Sequence, residues 1–480
     1  MKSIDKGVFH LVRYDRRSIL IALLIFIGCS NGANDATVFS GAAKFKTEHL
    51  SNGLLVSVYE DQRMPVVTVQ LVYYIGSSHE DENSRGLAHL FEHLMFSAST
   101  NFPERAVFKL VEQHGGSTNA TTSFDETRFF ASTPPGPHEE VLEIYADRMV
   151  NLLVTEEALA RDKKIVLEEL RVYAQNDPIN RLGFETLRQG LGKHPYAISP
   201  LGTEEDINDA SVSGCLEFYQ RYYGPQNTHL SIAGPVETEE TFRLVDRLFG
   251  HMNKPVEKPR SVPMLSAWDF PTELDLSDDI PPVEASAYVF ELPPVSSNNY
   301  EAINLMISLI SSLDGFEDEL VRKRRRALYA QMFDLPTKAG RILVFASISL
   351  PYRRKETAFL HLDQTIETLA QFNWLNDQTL RATKQRYLQS EYRGRYRSSS
   401  MVNRIEYAHG WQNDIQKAFD REQRIEEVEL EDIKRVYLRY VKNGQPTKIY
   451  VKPTRVPWYV ATFGWLYPLA DRMGLTRFVL

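Results

Sequence analysis

The spacing of hydrophobic and polar positions changes along the chain, and the changes mark its elements. Val67, Val69, Leu71 and Tyr73 alternate with Thr68, Gln70, Val72 and Tyr74. That period of two predicts a strand, and the apolar residues in both sets predict one covered on both faces. Upstream, Asn52-Gly53 is a hairpin turn signal. After Gly76-Ser77-Ser78 comes an acidic turn (Glu80, Asp81, Glu82), then a helical stretch from Gly86 to Phe96. Another helix is predicted after Thr155, a plausible N-cap, running through Tyr173 and stopping before Asp177-Pro178. Strand followed by helix, with antiparallel hairpins nearby, predicts an α+β fold whose sheet carries helices on one face.

The pattern then recurs weakly. Pro255, Pro259, Pro263 and Pro271 punctuate a polar stretch that reads as a linker over residues 255–271. Beyond it lie a predicted strand (Ala287–Leu292) and a helix from about Tyr300 to Leu313. A chain of 480 residues exceeds what one core usually supports, about 250–300 residues, so more than one domain is expected.

The N-terminus reads as a targeting segment over residues 1–29. Arg13, Arg16 and Arg17 precede an apolar run, Ile19 to Ile27, too short for the roughly 20 residues a bilayer span needs. Phe26-Ile27-Gly28-Cys29 resembles a bacterial lipoprotein cleavage box, in which Cys29 is lipidated; Phe in place of the usual Leu leaves ordinary secretion or an uncleaved anchor open. Either route implies export to the periplasmic side of a bacterial membrane. Residues 30–43 form a tether. Only two cysteines are present, so no disulfide framework exists, and Cys215 is expected to be inert and partly buried. A net charge of −8 with 43% hydrophobic and 25% charged residues describes an ordinary globular protein and argues against a nucleic-acid partner.

The chemistry sits in His89-Leu90-Phe91-Glu92-His93. Residues i and i+4 lie one turn apart on one helix face, with i+3 beside them. His89 and His93 can therefore hold one metal ion while Glu92 reaches a water on it. Zinc suits the set, because three protein ligands leave a fourth position for water whose proton is lost near neutral pH. The order H-x-x-E-H is the inverted form of the commoner H-E-x-x-H.

A third ligand is sought in the helix after Thr155. Glu168 has Lys164 and Arg171 as helical neighbours and belongs to a solvated face. Glu169 has Ile165 and Val166 one turn back and Val172 and Tyr173 one turn on, an apolar flank on which a carboxylate needs a partner. A metal would supply one, and so would a salt bridge to a neighbouring arginine. Asp162, seven residues earlier on the same face, could orient a ligand from behind.

These residues carry a resemblance to the pitrilysin/insulinase-type metallopeptidases, the inverzincins, whose N-terminal motif pairs H-x-x-E-H with a glutamate about 80 residues after its first histidine. Glu169 stands in that place relative to His89. Gly115-Gly116-Ser117-Thr118-Asn119-Ala120, Ala146-Asp147-Arg148-Met149, Val166-Leu167-Glu168-Glu169-Leu170, His194-Pro195-Tyr196 and Tyr222-Tyr223-Gly224-Pro225-Gln226-Asn227 match as well, so the similarity covers most of 44–250. The resemblance implies one Zn2+ per chain on His89, His93 and Glu169, with Glu92 as general base. Asn119-Ala120-Thr121-Thr122-Ser123 precedes a predicted strand, Thr127–Ala131, and the resemblance implies that this edge strand takes up a peptide backbone as an added strand, with Asn119 and Ala120 at the substrate. It further implies two homologous α/β-sandwich halves: a metal-binding domain (44–254) and a metal-free copy (272–453).

Where a metal-free half of this family usually carries an Arg and a Tyr against the substrate carbonyl, Leu313–Leu320 here is acidic, and Tyr329 matches the tyrosine only with a shifted spacing. The run Arg322-Lys323-Arg324-Arg325-Arg326 reads as a solvated helix end. The chain is thus expected to supply half of a clamshell, closed by a second family subunit bearing an intact Arg/Tyr pair or by another copy of itself. Residues 454–480, with Trp458, Tyr459, Phe463, Trp465 and Tyr467, form an aromatic extension that either packs on its own domain or docks a partner. The functional expectation is a zinc endopeptidase acting on peptides or unfolded segments. A non-catalytic scaffold subunit is the rival from another class, and a zinc hydrolase of small amides is the rival among enzymes.

Overall fold

The computed structural model describes residues 43–267, 270–312, 315–350 and 355–458. The targeting segment, Cys29, most of the tether, Leu313-Asp314 and the aromatic tail beyond Trp458 lie outside the described residues. Among the described residues no helix is long and apolar enough to cross a membrane.

Two sheets organise the chain. The first is built from β1 (Lys44–His49), β2 (Leu55–Glu60), β3 (Val67–Tyr73), β4 (Ser117–Thr122), β5 (Thr127–Thr133) and β6 (Thr228–Gly234), in the order β1-β2-β6-β3-β5-β4. The second holds β7 (Glu273–Asp278), β8 (Glu284–Leu292), β9 (Tyr329–Thr337), β10 (Gly340–Ser349) and β11 (Thr447–Pro453), in the order β7-β11-β8-β10-β9. Both repeat one plan. β2 runs parallel to β6 as β7 does to β11, and every later pairing in each series is antiparallel. The halves are copies of one topology; among the described residues the second has no counterpart of β1.

Local chemistry accounts for the elements. Gly53 at φ +91° closes the β1–β2 hairpin at the Asn52-Gly53 signal. β3 is buried along its whole length, as its pattern requires of a central strand. One face of the first sheet is covered by helices of the first half: α1 (Leu87–Leu94), α2 (Ala106–Gln113) and α3 (His138–Asn151), with Val69, Leu71, Leu90, Phe91, Val141 and Ile144 in one cluster. Two further helices follow, α4 (Glu156–Glu169) and α5 (Pro178–Leu191).

The sequence predicted helices on one face of the sheet. The structure covers both faces. The other face of the first sheet receives the helix Ser398–Glu406 from the far half of the chain, which packs Met401, Val402 and Ile405 against Tyr59 and Ala233. Thr68 and Ser398 share a 2.7 Å hydrogen bond across this contact. In return α5 leaves the first half and lays Leu182 against Leu276, Ile449 and Val451 of the second sheet, with Leu187 and Leu191 against Leu265 and Ile342. Each half therefore finishes the other's core. A pattern of alternation within one segment cannot say which distant helix will cover an apolar face, only that one must.

Candidate metal centre

α1 begins at Gly86, in the left-handed region at φ +77°, where an added Cβ would meet Ile207 Cδ1 at 2.7 Å. Glycine has no side chain to cap the helix, and Glu80 does so from six residues upstream. Its Oε2 accepts from Gly86 N (2.9 Å) and its Oε1 from Ala88 N (2.8 Å). Burial pushes the Glu80 carboxyl up to about 8, against the pull of these two N–H groups. One side of α1 buries Leu87, Leu90, Phe91 and Leu94 and so fixes its rotation. The opposite side presents His89, Glu92 and His93.

α4 supplies the partner. Thr155 caps it, accepting from Ala158 N at 3.1 Å, and Glu169 is its last α-helical residue before a π-helical turn, Leu170–Gln175. Glu169 Oε2 lies 3.4 Å from His89 Nε2 and 3.4 Å from His93 Nε2. The three ligand atoms all fall within 4.8 Å of one another. A separation of 3.4 Å is long for a charge-assisted hydrogen bond. It matches two ligands sharing one tetrahedral ion at about 2.0–2.2 Å, which stand roughly 3.3–3.5 Å apart. The donor set of two imidazoles and one carboxylate fits zinc.

Electrostatics agree with this fit at His89, while Glu169 beside His93 favours that imidazole's charged form until a metal takes the carboxylate. Burial, then the neighbouring His93, holds His89 below the ordinary histidine range, so its imidazole is neutral as a ligand must be. Burial also works on His93, but Glu169 beside it outweighs the effect and raises it; the hydrogen bond to His93 in turn lowers Glu169. Burial raises Glu92, opposed by a 2.7 Å hydrogen bond from Thr122 Oγ1 to its Oε2. A carboxylate biased toward holding a proton is what a general base needs.

The structure brings His89, Glu92, His93 and Glu169 together and separates Glu168, which is 67% exposed and paired with Arg171 at 3.6 Å. The reason differs from the sequence argument. Ile165, Val172 and Tyr173 are exposed rather than packed, at 44%, 47% and 56%, and only Val166 is buried. Glu169 thus lies on an open apolar surface beside the site, not against the core.

Asp162 is buried, but its carboxylate is taken by Arg161 (2.9 and 3.1 Å) and Ser97 (3.5 Å). It raises His93 as a nearby charge, with no hydrogen bond to either imidazole among the described residues. Asn119 and Ala120 lie in β4, which is itself the edge strand, whereas Thr127–Thr133 is an interior strand. Asn119 is exposed and Ala120 buried, and Asn119 Oδ1 accepts from Ala120 N at 2.9 Å.

In the second half, the helix Tyr300–Ile310 follows β8 as α1 follows β3. His89, Glu92 and His93 stand three, six and seven residues past the Gly86 cap; the same offsets from Asn299 give Ala302, Leu305 and Met306, all buried. Apolar packing occupies that place. Tyr329 starts β9, 45% exposed, its hydroxyl bonded to Gln331, and Arg322 pairs with Glu317 and Asp318. Cys215 is fully buried rather than partly.

Sequence reasoning missed Thr122 and Glu80. It also missed a buried pair between the halves, His229 Nδ1 to Glu406 Oε2 at 2.6 Å. Thr122 and Glu80 sit in stretches already singled out, yet only three-dimensional placement shows what each touches.

The comparisons with known proteins fit this arrangement. The family model described as Insulinase (Peptidase family M16) matches residues 55–202, and that of the Peptidase M16 inactive domain matches residues 215–328. The zinc protease PqqE of Helicobacter pylori is 27% identical over 438 residues, covering 90% of this chain and 97% of that relative. A crystal structure of a protease from Helicobacter pylori superposes with a TM-score of 0.76 at 25% identity, covering 86% of this chain and 100% of that one. The periplasmic protease PqqL from Escherichia coli shares the fold, with a TM-score of 0.66 at 18% identity over 88% of this chain and 50% of its own. With two matching family models in sequence, a duplicated fold and the H-x-x-E-H helix facing Glu169, the chain belongs to the insulinase-type M16 peptidase family.

Proposed function

We propose that this protein is a zinc-dependent endopeptidase acting on peptides or unfolded segments, with one Zn2+ per chain held by His89, His93 and Glu169. The observation that carries the reading is the placement of Glu169 Oε2 at 3.4 Å from both imidazole Nε2 atoms, beside an independently held Glu92. Bound zinc would polarise the scissile carbonyl and make its water acidic. Glu92 accepts the proton of the attacking water and delivers it to the departing amine. β4 offers a free strand edge that ends at Thr122, the residue touching Glu92, so a peptide added along it would run toward the base. Main-chain pairing of that kind recognises extended chains with little regard to sequence.

The periplasmic protease among the structural neighbours supports export, and the Arg-rich segment before Cys29 supports a lipid anchor at that residue. Cys29→Ala should abolish lipid labelling; labelling that persists removes the anchor. The second half offers no imidazole at the counterpart positions, which supports a clamshell completed by a second family subunit or by another copy of this chain. Peptidase activity of the isolated monomer, unchanged by any such partner, would dispose of that part. The central test is Glu92→Gln: it should retain one zinc per chain and lose peptide hydrolysis. Near-normal turnover in that variant would rule Glu92 out as the base.

A further inference from the structure

The second half touches the hairpin that joins β4 to β5, whose first strand ends at Thr122. Thr122, the last residue of β4, donates to Glu92 Oε2 at 2.7 Å, and Glu92 Oε1 has no hydrogen bond among the described residues. One carboxylate oxygen is thus fixed while the other is free to take a proton. The hairpin is closed just beyond by Ser123 N to Glu126 O (2.9 Å) and tied to the loop before α1 by Ser78 N to Phe124 O (2.9 Å).

Its tip, Asp125-Glu126, is buried and gripped by residues more than 200 positions away. Trp411 Nε1 donates to Glu126 Oε2 at 2.9 Å, and Lys338 N donates to Asp125 Oδ2 at 3.1 Å. The Lys338 ammonium stands 3.7 Å from Glu126 Oε2. Trp411 follows the exchanged helix Ser398–Glu406, and Lys338 lies in the β9–β10 turn, so both belong to the half without metal ligands. Hydrogen bonds to buried carboxylates are costly to lose, which makes this a stiff connection.

We infer that Thr122 is a positioning residue for Glu92, and that the metal-free half keeps it in register by holding the hairpin tip through Trp411 and Lys338. The inference rests on the peptidase reading above. In the reaction the Thr122 hydroxyl neither donates to nor accepts from the substrate. It holds one oxygen of the base so that the other faces the attacking water.

The experiment compares wild type, Glu92→Gln, Thr122→Val, Thr122→Ser, Trp411→Phe and the Thr122→Val/Trp411→Phe pair on an unstructured fluorogenic peptide, with zinc content and thermal midpoint measured for each. Thr122→Val should lower kcat about ten- to hundredfold with KM and zinc content unchanged, the range expected for one hydrogen bond to a charged group. Thr122→Ser, which keeps the hydroxyl, should stay within about threefold of wild type. Trp411→Phe should lower kcat by about three- to tenfold, and the pair should be no slower than Thr122→Val alone, because both act on one contact.

Normal kcat in Thr122→Val, or equal losses in the Val and Ser variants, overturns the positioning role. Effects of Thr122→Val and Trp411→Phe that multiply overturn the route through the second half. Loss of zinc in Thr122→Val reassigns it to the metal site and also overturns the inference. A wild-type chain that retains zinc but hydrolyses nothing, alone, as a dimer of itself and with a second family subunit added, overturns the peptidase reading and this inference together. An active wild type with an inactive Glu92→Gln leaves the peptidase reading standing whatever Thr122 does.

Discussion

The pair His229–Glu406 is the sharpest test of how the two halves hold together. His229 lies on β6, Glu406 ends the helix delivered by the other half, and both are fully buried. The 2.6 Å contact sets the imidazole directly against the Glu406 carboxylate and favours that carboxylate's charged form. Desolvating two such groups costs several kcal/mol, so the net gain of forming the pair is small. Breaking it is another matter, because the surviving partner stays fully buried. Glu406→Gln preserves shape and removes the charge that His229, Arg128 and Lys338 all face. The expected loss is about 3–5 kcal/mol, seen in thermal unfolding as a midpoint lower by about 3–5 °C for a chain of this length. His229→Gln should behave alike, and the double variant should cost less than the sum of the two by about 1–3 kcal/mol. The pH dependence has a definite sign. Burial pushes Glu406 up, but His229 first, then Arg128 and Lys338, hold it below its ordinary value. Its stabilising contribution is therefore present above the ordinary carboxylate pKa of about 4.5 and fades as pH falls through the lower folded-state value. The gap between wild type and Glu406→Gln should narrow below that point. A single variant within about 1 °C of wild type at pH 7, or additive losses in the double variant, would refute the reasoning.

Glu169→Gln should weaken zinc binding at least about 100-fold in chelator competition, against no change in Glu168→Gln; equal affinities would mean the wrong carboxylate was assigned. Gly76→Ala should destabilise the protein by about 1–3 kcal/mol, because a Cβ there would meet Ser123 O at 2.4 Å and Phe124 O at 2.6 Å in backbone that cannot swing aside; an unchanged melting temperature would show that the hairpin yields. Cys215, fully buried with its thiol pushed up to about 12 by burial, should remain unlabelled by maleimide in the folded protein and react after denaturation, as read by peptide mass mapping.

The sequence alone determined what depends on short spacing. H-x-x-E-H places two imidazoles and a carboxylate on one side of a helix whatever surrounds it, because the α-helical repeat is fixed. Thr155 and the Asp177-Pro178 stop likewise bracketed the helices carrying and following Glu169, since capping and proline sterics are local. The alternation at Val67–Tyr74 specified a strand covered on both faces. Tertiary structure decided everything that turns on which distant surfaces meet. The apolar flank that marks Glu169 in the sequence is exposed, and what singles this carboxylate out is a 3.4 Å approach to two histidines 80 and 76 residues away. Asp162 had the right helical face but a nearer claimant in Arg161. Nor could any local pattern announce that Ser398–Glu406 and α5 trade places between the sheets, or that Trp411 reaches Glu126. Apolar faces and buried carboxylates state a demand for partners; the chain's global path selects which residues meet it, because hydrophobic burial has no address and only packing distinguishes one covering helix from another.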